Sequence, residues 1–179
     1  MRIVNVLVAC TTVNKQIKMP LQNGATDERA KLFSLNISII SAKLHGISGL
    51  FSKPPDVYVE LIVDSVTSRK TAIRKKTNAP HWDEQIQFVL NTQIQVHESS
   101  ILEFRLFGKS KLFEDSLIGQ KILKMSHAIK KESDNGKFDN TKMTLQLSSP
   151  KDTARVGELK ILLSGTVIRP KKKSVGEYI

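Results

Sequence analysis

Five cationic side chains lie close together in the segment SRKTAIRKK, and they are Arg69, Lys70, Arg74, Lys75 and Lys76. Such a cluster could bind phosphate-bearing anions, because each Lys or Arg near an anionic lipid surface contributes about 1 kcal/mol to binding. Strands at a sheet edge are also often lysine-rich, since charge prevents their pairing with other chains. The alternation of the segment places Lys70, Arg74 and Lys76 on one face, which favours a binding surface over a solvated edge.

The overall composition also indicates an acidic partner. The chain of 179 residues has a net charge of +11, whereas its 40% hydrophobic content is ordinary for a globular protein. A field of this sign attracts nucleic acid, an anionic membrane or an acidic protein. Nucleic acid is disfavoured as a partner, because the aromatic residues lie in patterns typical of a core rather than between exposed cations.

Alternating apolar residues predict that β-strands carry the basic segment. Leu35, Ile37 and Ile39, for example, alternate with polar neighbours, as in a strand with one buried face. The predicted strands begin at Lys31 and continue with 57–63, 68–76, 85–90, 101–107, 117–123, 143–147 and 157–165, and the connection 124–140 has room for one short helix. Eight short strands at regular spacing predict an all-β fold, an eight-stranded antiparallel β-sandwich.

One domain is expected between two polar ends. Residues 1–30 are predicted to be a disordered leader, residues 31–166 the folded domain, and residues 167–179 a basic tail. The apolar start of the leader has no clean cleavage site after it, which disfavours a signal peptide. No apolar run approaches the length of a membrane span, and the single cysteine, Cys10, excludes an internal disulfide. A cytoplasmic protein with peripheral membrane contact fits these features best.

Several segments resemble the C2 domain family, and they are DVYVEL, KTAIRKKTNAPHWDEQIQF, LEFRLF and DSLIG, within about residues 32–165. Asp56 and Tyr58 match the family's Asp-Pro-Tyr-Val entry to the second strand, with Val57 in place of proline. The turn Thr77–Glu84 is similar to the family's Thr-x-Asn-Pro-x-Trp-Asn-Glu block, with Asp83 in place of asparagine. The resemblance implies a C2-like sandwich whose basic strand pair contacts phosphoinositide headgroups.

Within that family, KSKLFEDSLIG and KMTLQLSSPKDTARVGELKILLSG are similar to the amino-terminal C2 domain of WW-and-HECT ubiquitin ligases, in particular the WW-domain-containing-protein branch. This resemblance implies a module attached to a ubiquitin ligase. The WW modules and the catalytic cysteine of the HECT domain have no counterpart in this sequence, in which Trp82 is the only tryptophan. The chain itself is therefore expected not to be an enzyme.

Calcium binding, a property of many members of the resembled family, is not expected. Calcium requires six to eight oxygen ligands, which those members supply as aspartates from two loops. Only Asp56 falls on such a position, while positions 50, 108 and 110 carry no carboxylate. Lys109 and Lys111 would repel a divalent cation. We expect no metal or other cofactor, and we expect Asp56 to cap or bond the backbone of its own loop instead.

Two loops combine an apolar pair with lysines. The residues are Leu50, Phe51 and Lys53 in one loop, and Lys109, Lys111, Leu112 and Phe113 in the other. Such pairs either insert into the interfacial region of a membrane or pack back onto the core, and the sequence leaves both open.

The favoured hypothesis is a calcium-independent module that binds anionic phospholipid, phosphoinositide in particular, and targets a ubiquitin ligase to membranes. The alternative is a protein-interaction module, in which the same basic face binds an acidic partner or docks on a HECT domain and holds it inactive.

Overall fold

The computed structural model describes residues 31–46, 53–88, 96–129 and 135–168. In these ranges the chain forms nine strands and one short helix. The strands are β1 (Lys31–Leu44), β2 (Asp56–Val63), β3 (Thr67–Lys70), β4 (His81–Phe88), β5 (Val96–His97), β6 (Ile101–Lys109), β7 (Ser116–Lys124), β8 (Asn135–Ser148) and β9 (Arg155–Ile168), and the helix α1 (Met125–Ala128) follows β7.

The strands form an antiparallel β-sandwich of two four-stranded layers. The hydrogen-bonded order is β3-β2-β6-β7-β8-β9-β1-β4, and β5 pairs with the start of β1. The step from β7 to β8 consists of one residue pair, Gln120 with Ser148, whereas the other neighbours on this path pair over longer stretches. The sandwich is therefore nearly closed along this side, with the β3-β2-β6-β7 layer facing the β8-β9-β1-β4 layer.

The core lies between the two layers and follows the alternation of the sequence. Leu35, Ile37 and Ile39 of β1 are fully buried, and so are Leu61 of β2 and Phe104 of β6. Because side chains alternate along a strand, the residues between them face outward. The burial predicted for the aromatic residues is confirmed, and it holds for Tyr58, Trp82, Phe88 and Phe104.

The two ends of the sandwich differ in what they carry. At one end, which we call the loop end, Leu44 donates its amide hydrogen to Asn78 (2.8 Å) and Thr77 donates to Pro55 (3.2 Å). The loop end holds residues 45–46 and 53–55 and the connections 71–80, 110–115 and 149–154. At the opposite end, the far end, Met125 at the start of α1 donates to Ser100 (2.9 Å), and the 64–66 turn lies beside the start of β6.

The predicted all-β sandwich is confirmed, although several strands differ from the prediction in their bounds. β4 begins at His81, four residues before the predicted strand, and the two-residue β5 was not predicted. The predicted strand 68–76 is wrong in its length, because β3 ends at Lys70 and only Arg74 forms a further bridge, to Val57. The short helix predicted within 124–140 is present as α1, although β8 already begins at Asn135.

Candidate functional site

The outer face of the β3-β2-β6-β7 layer carries a row of charges that neutralise one another. Glu60 of β2 is in register with Lys70 of β3 on one side and with Arg105 of β6 on the other. The Lys70 ammonium lies 3.6 Å from the Glu60 carboxylate. The Arg105 guanidinium donates two hydrogen bonds to Glu103, at 2.8 and 3.0 Å. The charges of the two cations and the two carboxylates therefore cancel. We call these four residues, Glu60, Lys70, Glu103 and Arg105, the charged row.

Lys70 is further occupied by an aromatic ring. Its ammonium lies 5.4 Å from the centroid of the Tyr58 ring, within the range of a cation–π contact. The Tyr58 ring in turn stacks on Phe107, with centroids 5.3 Å apart and planes 12° apart. Arg69, the neighbour of Lys70, is in register with the core residue Leu61 and so points to the other side of the strand. The two cations of β3 therefore do not share a surface.

Arg74 holds the chain after β3 against β4. Its guanidinium donates to the carbonyl oxygens of His81 (2.7 Å) and Trp82 (3.1 Å) and lies 3.5 Å from the Glu84 carboxylate. Glu84 also accepts the amide hydrogen of Ala72. The backbone pairing with β2 continues irregularly beyond β3, since Thr71 donates to Val59 and Arg74 exchanges two backbone hydrogen bonds with Val57.

Arg74 is in register with the core residue Val57, whereas Lys70 is in register with Glu60 on the outer face. The expectation that Lys70, Arg74 and Lys76 share one face is therefore wrong.

Lys75 and Lys76 lie at the loop end and are exposed. The amide of Lys76 donates to the Asp56 carboxylate at 2.9 Å, which ties the 71–80 connection to the start of β2. The Asp56 carboxylate therefore bonds loop backbone, but in the 71–80 connection rather than in its own loop. Lys76 also has a positive φ of 49°, a conformation that favours glycine or asparagine.

The 110–115 turn at the same end presents two apolar side chains to solvent. Leu112 is 85% exposed and Phe113 is 75% exposed, and we call this pair the tip. The Ser110 hydroxyl accepts the amide hydrogens of Leu112 (3.3 Å) and Phe113 (2.9 Å). Of the two alternatives for this pair, packing onto the core is wrong, and the backbone beneath the tip is held by hydrogen bonds.

Asp115 anchors the base of this turn. Its carboxylate accepts hydrogen bonds from the Ser110 amide (3.0 Å), the Tyr58 hydroxyl (2.9 Å) and the Lys109 ammonium (3.1 Å). The Ser110 hydrogen bond is the largest of the effects that lower the pKa of Asp115. Burial, together with the bond to Asp115, raises the pKa of Tyr58 to about 12. The Asp115 carboxylate thereby fastens the turn to β2, a role that the sequence did not predict.

The loop end also carries cations that have no acidic partner. Within the described part of the chain, no carboxylate forms an ion pair with Lys53, Lys75, Lys76 or Lys111, and we call these four the loop-end cations. Lys109, by contrast, is paired with Asp115. Asp56 and Asp115 lie at the same end, but Asp56 bonds a backbone amide and Asp115 pairs with Lys109, and neither forms an ion pair with a loop-end cation.

A metal site would require several carboxylates converging at this end. Among the described residues, no three His, Cys, Asp or Glu side chains are placed to hold a metal ion. Asp56 and Asp115 are the nearest candidates, and both are engaged by donors. The described residues therefore do not fit a calcium site of six to eight oxygens.

The ten residues predicted to bind lipid are thus divided among different places. Arg69, Lys70 and Arg74 belong to the strand region, whereas Lys53, Lys75, Lys76, Lys109 and Lys111 belong to the loop end. Leu50 and Phe51 lie outside the described residues. The sequence did not predict that Arg74 bonds β4 whereas Lys75 is exposed, because the alternation of residues does not show where a strand ends. None of the helices in the described ranges is long and apolar enough to cross a membrane.

Comparisons with known proteins agree with this fold. The family model for the C2 domain matches residues 33–140, more than half of the chain. Synaptotagmin-1 of Arabidopsis thaliana is 24% identical over 109 residues, which are 58% of this chain, and the chain spans 19% of that protein's length.

Solved structures show the same architecture. A C2 domain of plant Extended Synaptotagmin 1 is 19% identical, with a TM-score of 0.56 over 79% of this chain and 98% of that domain. Human GIVD cytosolic phospholipase A2 is also 19% identical, with a TM-score of 0.56 over 81% of this chain and 17% of that protein. Because the family model matches more than half of the chain and the antiparallel sandwich agrees with it, the chain belongs to the C2 domain family.

Proposed function

We propose that this C2 domain binds anionic phospholipid through its loop end, without calcium, and so docks peripherally on a cytoplasmic membrane leaflet. One observation carries the proposal: the exposed tip, Leu112 and Phe113, shares the loop end with the four loop-end cations. An apolar tip rimmed by unpaired cations complements a bilayer, whose anionic headgroups lie above an apolar interior. Membrane association is also in keeping with the synaptotagmins among the similar proteins.

The magnitudes indicate that charge and tip are both needed. Four cations at about 1 kcal/mol each supply about 4 kcal/mol, which corresponds to a dissociation constant of only about 1 mM. Burying Leu112 and Phe113 halfway adds about 1.5 to 3 kcal/mol, given about 1.5 to 3 kcal/mol for each fully buried side chain. The combined dissociation constant is then about 10 to 100 μM, which is weak and reversible docking.

The hydrogen bonds of the Asp56 and Asp115 carboxylates support the proposal that calcium is not needed. A calcium-dependent loop end keeps several aspartates available to the ion, whereas Asp56 and Asp115 here bond protein donors. The Lys109 ammonium on Asp115 already supplies the positive charge that a bridging ion would bring. The loop-end cations then meet the lipid phosphates directly.

Vesicle co-sedimentation tests this function. The full chain is mixed with vesicles of neutral phosphatidylcholine alone, or containing phosphatidylserine or a phosphoinositide, with calcium or with a chelator, at several salt concentrations. We expect binding only to the anionic vesicles, weaker at high salt because screening reduces the charge contribution, and unchanged by the chelator. Binding that ignores lipid charge, or that requires calcium, would contradict the proposal.

The ubiquitin-ligase connection stays a prediction from the sequence resemblance, as does the absence of catalytic activity in this chain. Reading the transcript downstream of Ile179 for WW and HECT segments tests the connection. The protein-interaction alternative is tested by adding a purified HECT domain to the full chain. Under the lipid proposal, charge changes at Lys75 and Lys76 lower vesicle binding, whereas the alternative predicts that they lower binding to the HECT domain instead.

A further inference from the structure

A second group of exposed apolar side chains lies at the far end of the sandwich. Among the described residues, the large apolar side chains outside the tip that are most exposed are Val66 (74%), Ile122 (56%), Ile73 (42%) and Ile101 (41%). Ile101 begins β6 and Ile122 lies near the end of β7, so both are at the far end, where the Val66 turn also lies. Exposed apolar residues scattered singly need no explanation, but a contiguous group marks an interaction surface.

Strand register places these residues on one face. Glu103 is in register with Ile62 on one side and with Ile122 on the other, so the three side chains form a row across β2, β6 and β7. Ile101 is in register with Lys124 and lies two residues from Glu103 on the same face. We call Ile62, Ile101 and Ile122 the far-end patch.

The far-end patch is held rigidly. The backbone amide of Ile101 donates to the Asp64 carboxylate at 2.7 Å, and the Asp64 amide donates to the Ile101 carbonyl at 3.0 Å. These two bonds fix the start of β6 and bring the 64–66 turn beside it. The Glu103 carboxylate within the patch is engaged by both donors of Arg105. Its charge is therefore compensated within the protein.

The charge that remains available next to the patch is positive. Lys124 stands opposite Ile101 on β7 and is exposed. Lys121, by contrast, is in register with the core residue Phe104 and so points to the other face of β7. Among the described residues, no carboxylate forms an ion pair with Lys124. A partner that covers Ile101 and Ile122 would therefore bring its own carboxylates to the β7 side of the patch.

We propose that the far-end patch binds an acidic segment of a partner protein that carries aliphatic side chains. The aliphatic side chains would cover Ile101 and Ile122, and an Asp or Glu would pair with Lys124. The choice of a protein rather than a lipid partner rests on the proposed function, because docking through the loop end turns the far end away from the bilayer. The residues of the far-end patch are separate from the tip and from the loop-end cations, so peptide binding and vesicle binding are tested independently.

Selection of displayed peptides tests this surface. A library of random linear peptides is selected on the full chain, and the enriched peptides are synthesised with a fluorescent label for anisotropy titrations. The test variants are Ile122→Thr, which retains a β-branched residue, and Lys124→Glu. The matched control is Ile73→Thr, because Ile73 has the same exposure as Ile101 but lies outside the patch. Thermal unfolding of each variant checks that the fold is unchanged.

We expect peptides that combine Asp or Glu with Leu, Ile or Val. Their affinity should fall about 10-fold with either test variant and stay within about 2-fold for Ile73→Thr and for Leu112→Ser. Three results would overturn the proposal: peptides without acidic residues, peptides whose affinity the test variants leave unchanged, or a concentration-dependent dimer of the chain that Ile122→Thr abolishes. Weaker vesicle binding by Ile122→Thr would likewise overturn it, by making the far-end patch a lipid surface.

Discussion

The loop end and the charged row both contain cations, yet the two regions differ in what surrounds them. In the charged row, Lys70 faces Glu60 and the Tyr58 ring, and Arg105 faces Glu103. At the loop end, Lys75 and Lys76 stand beside a carboxylate, Asp56, that is occupied by a backbone amide. A count of cations therefore does not locate an anion-binding surface. Whether a cation can bind an anion depends on whether a carboxylate already pairs with it, and this criterion favours the loop end.

The largest effect should come from the tip. Replacing Leu112 and Phe113 by serine removes about 1.5 to 3 kcal/mol of interfacial burial, so the affinity for phosphatidylserine vesicles should fall about 10- to 150-fold. Vesicle co-sedimentation measures the loss. Val66→Ser is the matched control, because Val66 is as exposed as Phe113 but lies at the far end, and it should leave the affinity unchanged. Equal losses in both variants would remove the distinction between the two ends.

The next effect separates the two groups of cations. Lys75→Gln combined with Lys76→Gly should lower vesicle affinity about 30-fold at low salt, since two cations contribute about 2 kcal/mol. Glycine is chosen at position 76 because the positive φ suits it, so the backbone should not be strained. Lys70→Gln should change the affinity by less than about 3-fold, because Glu60 already neutralises Lys70. A larger loss with Lys70→Gln would return the binding surface to the strand face.

Arg74 and Lys75 are neighbours in the sequence, but only Arg74 should contribute to the free energy of unfolding. Arg74→Met should lower the free energy of unfolding by about 1 to 3 kcal/mol, because the carbonyls of His81 and Trp82 and the Glu84 carboxylate lose their donor. Lys75→Met should change it by less than about 0.5 kcal/mol, as is usual for an exposed residue. Denaturant titration measures both. Similar values for the two variants would mean that Arg74 does not hold the chain after β3.

The smallest effect concerns the fastening of the 110–115 turn. The pKa of Tyr58 is about 12 in the folded protein against about 10 for an ordinary tyrosine. The protonated phenol is therefore favoured by folding, and its contribution to stability is present below pH 10 and is lost as the pH rises from 10 to 12. In a Tyr178→Phe background, absorbance of tyrosinate follows Tyr58 alone, and Asp115→Asn should bring its pKa down. A value unaffected by Asp115→Asn would show that the bond between them contributes nothing.

Much of the fold could be predicted from the sequence because alternation encodes burial directly. Leu35, Ile37, Leu102 and Phe104 are spaced two apart, and each is buried. The end of β3 could not be predicted in this way, because the pattern continues through Thr71 and Ile73 although the regular strand ends at Lys70. Beyond β3, the backbone of Ala72 bonds the side chains of Glu84 and Trp82 on β4, which lie 10 to 12 positions away in the sequence.

Only part of the candidate site could be predicted, because the sequence shows residue types but not the contacts that form on folding. The lysines and the tip were recognisable as residue types, since Lys109, Lys111, Leu112 and Phe113 stand next to one another in a loop. Their exposure was not, because it depends on Ser110 and Asp115 bonding the backbone of the turn. The neutralisation of Lys70 was also hidden, since its partner Glu60 lies on the adjacent strand and becomes a neighbour only through the register of the sheet.

Site-directed labelling tests the central claim most directly, namely that the loop end rather than the strand face meets the membrane. Cys10 is the single cysteine, so a Cys10→Ser chain accepts one environment-sensitive fluorophore at a cysteine introduced by Phe113→Cys, Lys70→Cys or Val66→Cys. On addition of anionic vesicles, we predict that the emission of the label at position 113 shifts to shorter wavelength and that the labels at positions 70 and 66 do not respond. A blue shift at position 70 without one at position 113 would contradict the account.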